Sequence, residues 1–61
     1  MKNILVTEFS DNQENILIHT NSLSVKDVEK RLKKANQSYT DIIDVPDSDL
    51  QYYYIDGRTW F

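Results

Sequence analysis

His19 is the only histidine and no cysteine is present, so imidazole chemistry rests on one residue and thiolate chemistry on none. Nucleophilic catalysis needs a nucleophile, a base beside it and a third group to orient the base. No Ser, His and Asp are spaced here so as to argue for such a set. A single glycine, Gly57, excludes the glycine-rich turns that cradle phosphates. Asp47 and Asp49 lack the glycine and closing glutamate of a calcium loop. A chain of 61 residues also has trouble enclosing a pocket of even ~300 Å3. We expect no enzyme, no metal and no cofactor.

Recognition chemistry is better represented. Tyr52, Tyr53, Tyr54, Arg58, Trp60 and Phe61 crowd the last ten residues. Asp56-Gly57 is a favoured two-residue hairpin turn, and it would set Tyr53 opposite Trp60 and Tyr52 opposite Phe61. One face of that hairpin would carry Tyr53, Ile55, Arg58 and Trp60. The other would carry Leu50, Tyr52, Tyr54, Thr59 and Phe61. One short helix covers one face of a sheet, so one aromatic set should stay partly exposed. Exposed Tyr and Trp suit a protein-binding surface, because they supply contact area at low entropy cost. The plainer reading is that these rings lie half buried at the domain edge with their hydroxyls in water. A homodimer seam, through the open sheet face or the terminal strand edge, is a third.

Charge offers two further readings. The net charge is −3, but residues 24–37 sum to +3 while 1–23 sum to −2 and 38–61 to −4. Lys26, Lys30, Lys33 and Lys34 share a broad helical face that could meet nucleic-acid phosphates. Against this, the chain is acidic overall, and lysines late in a helix are also where its dipole favours them. Asp41, Asp44, Asp47, Asp49 and Asp56 could instead imitate a phosphate row for a basic cleft. Turns also favour aspartate for backbone reasons, which accounts for those at 47, 49 and 56.

Residues 3–9 and 15–21 are rich in β-branched side chains and read as strands joined through a polar turn. Ser24 and Asp27 form a capping box, with Leu23 and Val28 spaced as a hydrophobic staple. Val25, Val28, Leu32 and Ala35 then recur at helical spacing, so a helix is expected over 25–36 with Asn36 as a left-handed cap. Asp27 to Arg31 and Glu29 to Lys33 are favourable i, i+4 pairs. Residues 39–45 and 50–55 read as strands around the Pro46-Asp47-Ser48-Asp49 turn, and 58–61 as a last one.

Ile4-Leu5-Val6-Thr7-Glu8-Phe9-Ser10-Asp11, the second strand and the charged helix after Ser24 resemble small uncharacterised proteins encoded by phages and prophages of Gram-positive bacteria. The resemblance covers residues 4–36. It implies a short accessory or inhibitor protein that binds a host or phage protein, and it transfers no site residues.

The expected architecture is a single α+β domain over 1–61 of order ββαβββ, a small mostly antiparallel sheet with one helix on one face. The absence of cysteine and of any long apolar run points to the cytoplasm. The expected function is non-enzymatic protein binding through the 50–61 hairpin, with nucleic-acid association through the basic helix, or homodimer formation, as the alternatives.

Overall fold

The computed structural model describes residues 2–60, the side chain of Trp60 excepted. Strand β1 (Lys2–Phe9) and strand β2 (Glu14–Thr20) pair antiparallel as the central hairpin. Helix α1 (Val25–Lys34) follows, then strand β3 (Asp41–Asp44), a 3-10 helix at Asp47–Tyr52 and strand β4 (Gly57–Trp60). The sheet order is β3-β1-β2-β4. β3 pairs antiparallel with β1, and β4 pairs parallel with β2. The fold is α+β.

Ile4-Leu5-Val6 are consecutive and all buried, and so are Leu17 and Ile18. Side chains alternate across a strand, so burying neighbours means that both sheet faces are covered. On one face Ile4, Val6 and Ile18 pack with Val28 of α1, joined by Val25, Leu32, Tyr39 and Ile42. On the other Leu5 and Leu17 pack with Val45, Leu50 and Ile55. The segment from Val45 to Asp56 is therefore a strap, and the order of layers is helix, sheet, strap. The β2–α1–β3 and β3–strap–β4 crossovers run in opposite directions across the sheet and over opposite faces. They consequently share one hand, as parallel crossovers do.

The expected strand at 50–55 is absent. Its first half is 3-10 helix, closed by Asp49 N–H to the Pro46 carbonyl at 2.9 Å and Tyr53 N–H to the Leu50 carbonyl at 3.2 Å. The expected Asp56-Gly57 hairpin is absent too. A two-residue turn of that kind needs positive φ, and Gly57 does not have it. Gly57 instead opens β4 opposite Ile16. The chain must cross from one sheet edge to the other, and a tight turn would have returned it to the wrong neighbour. With no hairpin, its two aromatic faces do not exist, and the face left by α1 is covered by the strap.

A bulge corrects the alternation of β1. Val6 pairs with Ile16 but Phe9 with Glu14, so β1 holds one residue more than β2 across this interval. Glu8, at φ 50°, absorbs the extra residue. Phe9 thereby reaches the helix-side core while Glu8 stays exposed.

The helix begins and ends as its sequence signals. Ser24 Oγ accepts the Asp27 N–H at 3.2 Å, and Asp27 Oδ2 accepts the Ser24 N–H at 2.9 Å. Leu23 joins the same cluster as Val28. Ala35, expected on the apolar stripe, is exposed and caps the C-terminus. Asn36 follows at φ 58°, with its N–H to the Lys33 carbonyl and the Gln37 N–H to the Leu32 carbonyl. That is the Schellman pattern. Lys33 pairs with Glu29 at 3.6 Å on the solvent side.

Two outcomes test this description. The hydrogen bond from the Ser24 backbone holds the Asp27 carboxyl below its ordinary value of 3.8, helped by the Ser24 hydroxyl and then by the charges of Lys30 and Arg31. A depressed folded value gives stability that is present above 3.8 and lost as pH falls through the lower folded value. Thermal melts of Asp27→Asn should therefore lie below wild type at pH 7 and converge with it as pH falls below the folded value. Separately, a Cβ on Gly57 would meet only Ile16 Cγ2 at an ordinary 3.6 Å. Gly57→Ala should leave the melting temperature unchanged or raise stability by about 0.4–1 kcal/mol. A hairpin turn at 56–57 would instead make that substitution costly.

Candidate functional site

The strap is fixed at both ends by hydrogen bonds. At its start the buried Val45 gives its N–H to the Asn3 carbonyl at 2.8 Å. The buried Asn3 side chain donates from Nδ2 to Asp47 Oδ1. Leu50 and Ile55 point inward against Leu5 and Leu17. At its far end Asn15 acts as a clamp. Its Nδ2 donates to the Tyr54 carbonyl at 3.0 Å, and its backbone N–H donates to Asp56 Oδ2 at 2.7 Å. Asp56 returns its own N–H to the Asn15 carbonyl at 2.8 Å, which starts the parallel ladder to β4. Asn15 Oδ1 meanwhile accepts the Glu8 N–H at 3.1 Å, tying in the bulge of β1. One asparagine thus holds three segments.

Between these anchors the tyrosine side chains face solvent. Tyr52 is 75% exposed, Tyr54 77% and Tyr53 39%. Gln51 beside them is exposed as well. Three phenols stand next to one another on an arch whose feet are hydrogen-bonded. Phenol rings present apolar faces and a hydroxyl that both donates and accepts. Such groups are well suited to recognition.

No family model, curated protein or solved structure matches this chain.

The remaining candidates fall in other places. Arg58 is exposed on β4 opposite Leu17, and the backbone of Trp60 pairs with that of His19. The side chain of Trp60 and all of Phe61 lie outside the described residues. Lys26, Lys30, Lys33 and Lys34 are exposed on α1, on the far side of the sheet from the tyrosines. Among the described residues no cavity is found, and no three or more His, Asp or Glu are grouped to hold a metal ion. No helix among them is long and apolar enough to cross a membrane.

Asn3 and Asn15 were not legible as anchors. Both read as polar residues at strand ends, and their partners lie 39 to 44 residues away. Asn15→Ala should cost about 1–3 kcal/mol in urea unfolding, since two side-chain hydrogen bonds are lost at ~0.5–1.5 kcal/mol each. Amide exchange at Asp56 should accelerate more than at Ile4 or Leu5.

Proposed function

We propose that this chain is a non-enzymatic protein-binding module whose contact surface is the tyrosine arch at Tyr52, Tyr53 and Tyr54. The observation that carries this reading is the exposure of three adjacent tyrosines on a segment anchored at both ends. Leaving large aromatic surface in water forgoes about 25 cal/mol for each Å2 that burial would have gained. The rings of Tyr52 and Tyr54 add little to the core, which Leu50 and Ile55 supply on the strap side. A pre-ordered strap also loses little entropy when a partner settles on it. Arg58, exposed on β4, extends the candidate surface. The resemblance of residues 4–36 to small phage proteins fits a short accessory protein acting on a host or phage protein in the cytoplasm.

The test is a double variant, Tyr52→Ser with Tyr54→Ser. Both side chains are largely solvated, so its stability should stay within about 0.5 kcal/mol of wild type. Immobilised wild type should retain proteins from a bacterial lysate that the folded variant does not retain. Equal retention by the two proteins would remove the tyrosines from the contact surface.

A further inference from the structure

We infer that the partner surface is cationic: a protein segment rich in arginine or lysine, seated across the tyrosine arch. This rests on the tyrosine arch being the contact surface, and it adds the chemistry of what covers it. Residues 41–56 contain five aspartates and no lysine or arginine. Asp47 and Asp49 occupy the first turn of the 3-10 helix and Asp56 closes the strap, whereas Asp44, paired with Ile4, lies on the helix side of β3. Asp49 precedes Tyr52 by three residues and Asp56 follows Tyr54 by two, so carboxylates bracket the exposed rings.

Two of those carboxylates are held in place. Asp47 accepts from Asn3 and Asp56 accepts from the Asn15 N–H. A carboxylate accepting one hydrogen bond keeps its charge and its other lone pairs, so it remains available to a cation in a fixed position. Arg58, two residues past Asp56 on β4, is the sole cation of residues 41–60. The five basic side chains of α1 lie on the opposite side of the sheet. Two layer spacings of about 10 Å separate helix from strap. That exceeds the Debye length of about 8 Å at physiological salt, so the helix does not cancel the field at the strap. Asp49 and Asp56 lie on either side of the exposed phenols along the chain, Asp56 held by Asn15, and a guanidinium group binds well to both a ring face and a carboxylate. Phosphate backbones and acidic peptides would be repelled from this side.

The experiment uses the isotope-labelled full chain, titrated with a short arginine-rich peptide and, in parallel, a glutamate-rich peptide of the same length. Amide shifts should move at 47–56 with the arginine peptide and not with the glutamate peptide. Affinity should fall about tenfold or more between low and high salt, and about fivefold in the Tyr52→Ser/Tyr54→Ser variant. Asp49→Asn, which leaves both strap anchors intact, should also weaken it. Shifts spread equally over Asp11 and Glu14, and unchanged in the tyrosine variant, would reduce the effect to general counter-ion binding and overturn the inference. A lysate protein that wild type holds and the tyrosine variant loses, and that stays bound at high salt, would overturn the cationic partner alone and leave the tyrosine surface standing. Absence of both peptide binding and tyrosine-dependent retention would remove the two together.

Discussion

Burial of Leu5 and Leu17 on the face away from α1 is the constraint from which the rest of the architecture follows. The central hairpin carries branched apolar side chains on both sides, and one ten-residue helix covers only one of them. The second cover has to come from the chain after β3. Once that chain crosses the sheet it emerges at the opposite edge, where β2 is the available neighbour and the pairing can only be parallel. A chain this short has little apolar surface to spend. Its solution is three thin layers in place of two thick ones.

That constraint was partly visible in the sequence. Ile4-Leu5-Val6 and Ile16-Leu17-Ile18 are uninterrupted apolar triplets, the pattern of strands buried on both faces, whereas a sheet open to water on one side alternates. The helix was legible almost to the residue because its signals are local: Ser24, Asp27, Leu23 and Asn36 act within one or two turns of themselves. The strap was not legible. Tyr52-Tyr53-Tyr54 has high strand propensity and Asp56-Gly57 is a strong turn pair, and both local preferences were overridden by packing from a distance. Leu50 and Ile55, five residues apart, match neither a strand face nor a helix stripe. Their common role comes from Leu5 and Leu17, which lie far away in sequence.

The tyrosines illustrate the same division. Their clustering near the C-terminus could be read directly, and so could their suitability for recognition. Which of them face water depends on inward anchors at Leu50 and Ile55 and on the Asn15 clamp, none of which is marked by residue type. The charge separation was readable as blocks of sequence. Only the topology turns those blocks into opposite sides of a plate.

The two edge strands have a kinetic meaning. β3 and β4 each pair with strands about 40 residues earlier, from Ile4 with Asp44 to Ile16 with Gly57. Loops of that length close late, after the hairpin and helix have formed locally. Closing the strap requires the long-range pairing of β4 with β2, whose entropy cost slows folding. A surface built on it depends on that pairing and on the Asn3 and Asn15 anchors. Recognition through that surface would therefore sense whether the chain has completed its fold.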